Sequence, residues 1–299
     1  MIKKLVWVLL IGVLLLVAGG FVYWKLSRSV APNTTAVTNW PVSVPAEPPT
    51  SSKVPAGHLP GPPAGEAAIK REIPPGEPAF ALRPGETLDY DANITKLNSK
   101  VANLKIVAVE KRNAGGKASW HLQAFAHTEN PYRMVFELDD QFDSYSDAGS
   151  MTSLQYEMHL SERGQKVDRV ERLLPSSHDP APAGTSAARV LPGTRDPLGM
   201  LEYLRGVDWS RTTEVRSPVY DGHKLYDVRA VLVGKSAAVS VPSGNFKTTK
   251  IEIHVMDNGT EMKDAHFLLY LANDTTRLPV LMEAVLPVAT ARVELTKVK

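Results

Sequence analysis

Residues 120–126 read WHLQAFA, and this stretch decides the fold class. Apolar side chains occupy positions 120, 122, 124 and 126, with His121 and Gln123 between them. Successive side chains of a strand point to opposite faces, so this pattern places one set in a core and the other in water. The stretch therefore predicts an antiparallel strand that is buried on one face.

The same alternation recurs along the rest of the C-terminal two-thirds of the chain, at residues 102–108, 154–160, 226–232, 251–255, 267–271 and 291–295. Turn sequences such as Arg163-Gly164 and Asp257-Asn-Gly259 separate these runs. One helix is predicted over residues 196–205, because Asp196 is a suitable cap and Gly206 a suitable end. Residues 176–192 indicate a long loop. The fold class is mainly β: a curved antiparallel sheet or partial barrel with one short helix.

A membrane segment is predicted within residues 1–28. Residues 5–24 are uncharged and mostly Leu, Val, Ile and Gly, and as a helix they would span about 30 Å, the thickness of a bilayer core. The alternative is a signal peptide with a small-residue cleavage site at Ala18 and Gly20. Basic residues slightly favour the N-terminal flank, which predicts that the C-terminal domain is exported.

Residues 29–79 predict a disordered tether between the membrane segment and a folded domain at residues 80–299. Thirteen of the 23 prolines lie between residues 31 and 85. Proline lacks an amide donor and fixes φ, so neither a helix nor a sheet propagates through such a segment. The tether would hold the folded domain away from the membrane.

Composition excludes several classes of function. The net charge of +2 is close to balance, so nucleic acid is not expected as a partner. The chain has no cysteine, which rules out disulfides, thiolate metal sites and a cysteine nucleophile.

Four segments together resemble a known family. They are residues 85–90 (GETLDY), 195–205 (RDPLGMLEYLR), 241–248 (VPSGNFKT) and 271–280 (LANDTTRLPV). In this order and spacing they resemble the bacterial exported family called domain of unknown function 3108, over about residues 80–299. One departure is Asn98-Ser99-Lys100, which stands where that family usually has an Ala-Gly pair, so the first hairpin is expected to differ.

The resemblance implies a bacterial envelope protein with a β-rich domain and no established activity. The expected location is the inner membrane, crossed once, with the C-terminal domain in the periplasm; the alternative is release into the periplasm after signal cleavage. A fold-level similarity to lipoprotein carriers and related half-barrels is also suspected, and fold-level similarity alone says little about function.

Histidines and carboxylates do not predict a metal site. His121 and His127 lie on one strand face with Glu129 nearby, but they occupy polar positions, so solvated side chains are expected. Aspartates cluster at residues 139, 140, 143 and 147 without the spacing of a calcium loop, and a solvated acidic loop is expected there. No cofactor is predicted.

Catalysis is not expected either. The sequence contains no Gly-x-Ser-x-Gly elbow and no phosphate-binding glycine loop. No catalytic residue is predicted, and the chain is expected not to be an enzyme.

Two sets of residues are candidates for ligand binding. Large side chains on alternating strand positions would line an apolar concavity, and polar side chains near the helix and the last turn would bind a headgroup or partner. They are Trp120, Tyr156, Met158 and Phe267 in the first set, and Tyr203, Arg205, Asp274 and Arg277 in the second. Simple core packing, helix capping and a hairpin turn remain open as alternative roles.

The sequence thus predicts a non-enzymatic, membrane-tethered envelope protein whose β domain binds a lipid or another amphiphile. The alternative is a structural module that recognises another envelope protein.

Overall fold

The computed structural model describes residues 82–97, 99–114, 117–175, 186–262, 266–287 and 289–299. The predicted membrane segment, the predicted tether and Asn98 of the first hairpin lie outside the described residues. Helices long and apolar enough to cross a bilayer do not occur in the described part of the chain.

Fourteen strands and one α-helix form the described part of the chain, which confirms the mainly β prediction with one short helix. Helix α1 is Pro197–Gly206, and a single 3-10 turn covers Tyr132–Met134. The strands are β1 Glu86–Ile94, β2 Ser99–Ala114, β3 Lys117–Thr128, β4 Asp139–Asp147, β5 Ser153–Glu162, β6 Gln165–Leu174, β7 Ala187–Arg189, β8 Glu214–Tyr220, β9 Leu225–Val241, β10 Gly244–Asp257, β11 Thr260–Glu261, β12 His266–Ala272, β13 Pro279–Val285 and β14 Thr290–Val298.

All these strands belong to one sheet. The order is β7-β6-β5-β4-β3-β2-β1-β14-β13-β12-β10-β9-β8, with β11 paired to β10. Every pair is antiparallel except β6 with β7. Strand β1 lies between β2 and β14, so the first and last strands are neighbours, and Thr87 and Lys299 exchange backbone hydrogen bonds of 3.1 and 2.9 Å.

The alternation of apolar and polar residues in the sequence corresponds to the buried and outer positions of the strands. In β3, for example, Trp120, Leu122 and Ala124 are buried, and all seven segments with this pattern lie within strands. Tight turns fall where predicted: Arg163 and Gly164 have φ values of 47° and 74°, which suits a two-residue turn between β5 and β6.

The sequence interpretation of the clustered aspartates is wrong. The four clustered aspartates lie along strand β4 rather than in a solvated loop, and Asp140 and Asp143 are buried. Residues 176–185 of the expected loop lie outside the described residues, and residues 187–189 form the short strand β7. Strand β4 was not predicted from the sequence because its composition is polar; it contacts the helix, as described below.

Helix α1 is enclosed by the sheet. It contacts β3, β4 and β8, and eight of its ten residues are buried, among them Met200 and Leu201. A helix buried on almost all sides needs apolar residues all round, and the pattern Pro-Leu-Gly-Met-Leu satisfies this.

The two ends of the sheet approach each other through side chains and through an isolated backbone bridge between Arg195 and Val219 of β8. The Tyr220 hydroxyl of β8 donates to Glu171 of β6, and the Arg169 guanidinium of β6 donates to the carbonyl of Gly222. We call this contact, formed by Arg169, Glu171, Tyr220 and Gly222, the seam.

Candidate ligand-binding site

The N-terminal end of helix α1 is fixed by a buried carboxylate. Asp196 Oδ1 accepts a hydrogen bond from the Gly199 amide at 2.9 Å, which confirms the predicted cap. Asp196 Oδ2 accepts from the hydroxyls of Ser144 and Ser153, each at 2.5 Å. Burial raises the pKa of Asp196, while these hydrogen bonds oppose the rise.

Gly199 lets the helix lie directly on strands β4 and β5. A Cβ atom at this position would lie 2.8 Å from Ser146 Oγ and 2.9 Å from the Met151 carbonyl oxygen. Such distances are too short for van der Waals contact, so only glycine fits without movement of the backbone. The serines of β4 therefore form the surface on which the helix begins.

The C-terminal end of the helix contains a buried ion triad. Arg205 lies 2.8 Å from Glu202 and 3.0 Å from Glu86, and its side chain is 1% exposed. Burial alone would lower the pKa of Arg205, but the charges of Glu202 and Glu86 outweigh it and raise the pKa. Burial has the opposite effect on the neighbouring Tyr90: it raises the pKa of the hydroxyl, which therefore stays neutral.

Arg277 binds the free carbonyl groups at the same end of the helix. Its Nη1 donates to the carbonyls of Val207 at 2.6 Å and Gly206 at 3.4 Å, where the helix dipole favours a cation. Asp274 accepts from the backbone amides of Thr276 at 2.9 Å and Arg277 at 3.3 Å, which confirms the predicted hairpin turn.

An apolar pocket of about 40 Å³ lies beside the start of the helix. Its single carboxylate, Asp221, accepts from the amides of His223 at 2.7 Å and Lys224 at 2.8 Å. The lining residues come from α1, β8, β9, β10 and β12 and from the connections after β8 and β11: Pro197, Val219, Asp221, Tyr226, Val228, Val255, Met262 and Phe267.

Gly222 connects this pocket to the seam. Its φ of 94° lies in the left-handed region, and a Cβ atom there would meet the sulfur and methyl group of Met158 at 2.5 and 2.3 Å. Tyr156 lies next to Met158, at 3.6 Å from the same point. Strand β5 therefore packs directly against the turn between β8 and β9.

The eight predicted binding residues form separate groups. Phe267 lines the pocket, and Tyr156 and Met158 lie beside it across Gly222. Trp120 is buried on β3 and is not part of the pocket lining. All four are buried side chains of the core.

The polar candidates lie around the helix. Arg205 and Arg277 meet at its C-terminal end, with Asp274 in the adjacent turn. Tyr203 instead stacks under the Arg195 guanidinium, whose central carbon is 3.6 Å from the ring centre.

A second polar cluster lies on the side of the sheet that faces away from the helix. Asp143 of β4 and Glu157 and His159 of β5 place their ligand atoms within 4.8 Å of one another, the arrangement of a possible metal site. His121 donates to Asp143 at 2.6 Å. Burial favours the neutral acid, but hydrogen bonds from His121 and two glutamines hold the pKa of Asp143 below its usual value.

The expectation of a solvated His121 is wrong. Its side chain is 12% exposed, and its ring stacks on Tyr145 at 4.5 Å between ring centres. His127, by contrast, is exposed and pairs with Asp139.

Sequence reasoning missed Glu86, Glu202, Asp221, Glu157 and His159. Glu86 is 119 positions from Arg205, so only the fold brings the two together. A signal for Glu202 was present, since a Glu three residues before an Arg on an apolar helix is positioned for an ion pair.

Comparisons with known proteins place the chain by sequence. The family model described as "Protein of unknown function (DUF3108)" matches residues 89–296. No curated protein matches the sequence.

Several solved structures are similar to the chain at low identity. A "Beta-barrel-like Protein of Domain of Unknown Function DUF1849" from Brucella abortus has 14% identity and a TM-score of 0.48, over 72% of this chain and 97% of that one. A "putative exported protein with YmcC-like fold" from Bacteroides fragilis has 12% identity and a TM-score of 0.34, over 74% and 98%. A "putative lipoprotein" from Parabacteroides distasonis has 11% identity and a TM-score of 0.35, over 75% and 99%. Structures this dissimilar carry no information about function.

Proposed function

We propose a function for this chain, which belongs to the DUF3108 family. It is a non-enzymatic, membrane-tethered protein of the bacterial cell envelope, and it binds an amphiphilic ligand such as a lipid. The observation that carries this proposal is the apolar pocket beside the start of helix α1, whose lining includes one carboxylate. Apolar pockets with few polar groups are typical of sites for small hydrophobic ligands.

The pocket is closed in this state. A volume of about 40 Å³ holds one or a few water molecules, whereas ligand sites usually measure several hundred Å³. An acyl chain therefore enters only if the walls move apart. The seam is where the walls separate most easily, because β6 and β8 meet through side chains, and β8 is joined to Arg195 by an isolated bridge of two backbone hydrogen bonds rather than by a strand ladder.

The energetics of the seam favour such opening. Each net hydrogen bond contributes about 1 kcal/mol, so separating the Tyr220–Glu171 and Arg169–Gly222 contacts costs far less than breaking a ladder of backbone bonds. Met158 lies directly behind Gly222, and an unbranched thioether adapts readily to a ligand. Opening the seam would thus extend the pocket along Met158 and Tyr156.

The polar groups at the pocket support binding rather than catalysis. Asp221 is engaged by two backbone amides and by Tyr226, so its oxygens hold the turn between β8 and β9. A general base needs a free lone pair directed at a substrate.

The proposed membrane connection rests on the sequence prediction. The predicted membrane segment at residues 1–28 and the predicted tether at residues 29–79 would keep the domain close to a lipid source in the periplasm.

Photo-crosslinking tests this proposal. The full chain is reconstituted in phospholipid nanodiscs with a photoactivatable fatty acid, irradiated, digested and mapped by mass spectrometry. We expect crosslinked peptides from β8, β9 and β12, including Val219, Val228 and Phe267. Labelling confined to residues 1–28 would contradict the proposal, because it would reflect the membrane segment alone.

A pair of valines on β9 supplies a matched control. Val228→Phe fills the pocket and is expected to remove labelling of β8 and β12, whereas Val233→Phe changes an exposed side chain and should leave it intact. Circular dichroism confirms that both variants are folded.

Recognition of another envelope protein is the second candidate function. Met134 and Val135, in the connection between β3 and β4, are the most exposed large hydrophobic side chains described, at 86% and 58%. Exposed apolar side chains in a connection are typical of a protein contact. A photoreactive amino acid at position 134 should trap one defined protein in cells, while one at position 233 should not; absence of a specific adduct at position 134 would count against this function.

A further inference from the structure

A histidine–carboxylate cluster lies on the outer side of the sheet, away from the pocket. Asp143 of β4 and Glu157 of β5 are directly opposite each other in the register, and His159 follows two positions along β5 on the same face. Like charges directly opposite on neighbouring strands are destabilising. A cation between the two carboxylates would turn this repulsion into attraction.

The surroundings of His159 point to a ligand. Its Nδ1 lies 2.8 Å from Oδ1 of Asp168, a residue of β6 outside the cluster, while its Nε2 faces Glu157 at 3.5 Å. A neutral imidazole that donates through Nδ1 to a carboxylate presents Nε2 as an acceptor. Histidine ligands of metal ions are usually held in this way by a second carboxylate.

The two carboxylates are also held in place. Asp143 accepts from His121 at 2.6 Å and from Gln123 and Gln141, each at 2.7 Å. Glu157 accepts from Gln155 at 2.5 Å. The carboxylate oxygens are thus oriented before any ion arrives, which lowers the cost of binding.

We propose that Asp143, Glu157 and His159 bind Zn²⁺, with water as the fourth ligand. Imidazole nitrogen and carboxylate oxygen both bind zinc in proteins, and zinc sites with three protein ligands hold water in the fourth position. Calcium needs six to eight oxygen ligands, which this cluster does not supply. Zinc–ligand bonds of about 2.0–2.2 Å require ligand atoms that lie close together, and the three ligand atoms here lie within 4.8 Å of one another.

The site is independent of the proposed lipid pocket. It lies on strands β4 and β5 on the face opposite the helix, and none of its residues lines the pocket. His159 is 36% exposed at the side chain, which gives an ion a path from solvent.

Zinc titration of the tag-free, chelator-stripped full chain tests the site. Competition with a chromogenic zinc indicator should show one saturable site, and zinc but not calcium should raise the thermal unfolding temperature. We expect His159→Gln and Glu157→Gln each to weaken zinc binding at least tenfold. We expect Asp168→Asn, which changes only the partner of His159, to weaken it about tenfold.

A second histidine–carboxylate pair on the same sheet is the control. His127 pairs with Asp139, so His127→Gln should leave zinc affinity unchanged. The proposal is overturned if the chain shows no saturable zinc binding, if the His159 and Glu157 variants bind as the parent does, or if His127→Gln loses as much affinity as they do.

Discussion

Two salt bridges of the same chemical type lie in opposite surroundings. Arg205 and Glu202 are enclosed with helix α1, with side chains 1% and 3% exposed, whereas Arg216 and Glu214 lie on the edge strand β8 at 61% and 39%. The nitrogen–oxygen distances are 2.8 and 3.1 Å, so geometry alone does not separate them.

The difference shows that burial, rather than distance, sets how much a charge matters. An exposed pair is screened by water and contributes about 0–1 kcal/mol. A buried pair must first lose its hydration, so removing one partner leaves an uncompensated charge that costs about 3–5 kcal/mol. Four predictions test this contrast, beginning with the largest effect.

Arg205→Ala should lower the free energy of unfolding by about 3–5 kcal/mol, because it leaves Glu202 and Glu86 buried without a cation. Urea unfolding of the purified chain measures the change. Arg216→Ala, the exposed counterpart, should cost less than about 1 kcal/mol. Equal losses in the two variants would break the comparison.

A double variant sharpens the same point. Glu202→Leu/Arg205→Met replaces the pair with apolar side chains of similar size, and it should be clearly more stable than Arg205→Ala. Glu86 lacks its cation in both variants, so a double variant as unstable as Arg205→Ala would show that the unpaired Glu202 carboxylate is not the cause.

Asp196→Ala should lower the free energy of unfolding by about 2–3 kcal/mol. It removes the helix cap and leaves the Ser144 and Ser153 hydroxyls without their buried acceptor. Asp208 makes a comparable local bond to the Ser210 amide at 3.0 Å in an exposed turn, so Asp208→Ala should cost well under half as much.

Glu162→Gln should change how stability depends on pH. Burial raises the pKa of Glu162 to about 8 and that of Asp140 to about 6. Carboxyl groups with a raised pKa in the folded state stabilise it below their unfolded pKa, and this stability is lost as pH rises through the folded pKa. The parent should therefore lose stability between about pH 5 and pH 9.

The glutamine side chain is neutral at every pH, so the variant should lose less stability than the parent over this range. At pH 9 its free energy of unfolding should be higher than that of the parent by about 1–2 kcal/mol. Unfolding curves at pH 5, 7 and 9 measure this difference. Glu110→Gln, on the exposed part of β2, should follow the parent at every pH, and parallel curves for all three proteins would refute the prediction.

The sequence predicted strands well where only one face is buried in an apolar core. Alternation at β3 is clear because its inner positions, such as Trp120 and Leu122, touch other apolar side chains. Apolar alternation did not predict strand β4, because two of its inner positions, Ser144 and Ser146, are polar and lie against the start of the helix. A strand that contacts polar atoms has no hydrophobic pattern to detect.

The candidate sites were harder to predict because they depend on register. Asp143 and Glu157 are fourteen positions apart, and only the pairing of β4 with β5 places them opposite each other. Ligand spacing along the chain could not reveal this. The helix cap and the Asp274 turn were predictable, since both depend on residues within three positions.

The position of β14 between β1 and β13 has a consequence for the order of folding. During synthesis from the N-terminus, β1 is made more than a hundred and ninety residues before β14, as the pairing of Ile94 with Ala291 shows. Until the last segment arrives, β1 and β13 each expose an open edge in the middle of the future sheet. Pairing over such separations is slow, so the half-made domain becomes a single sheet only once β14 has been made.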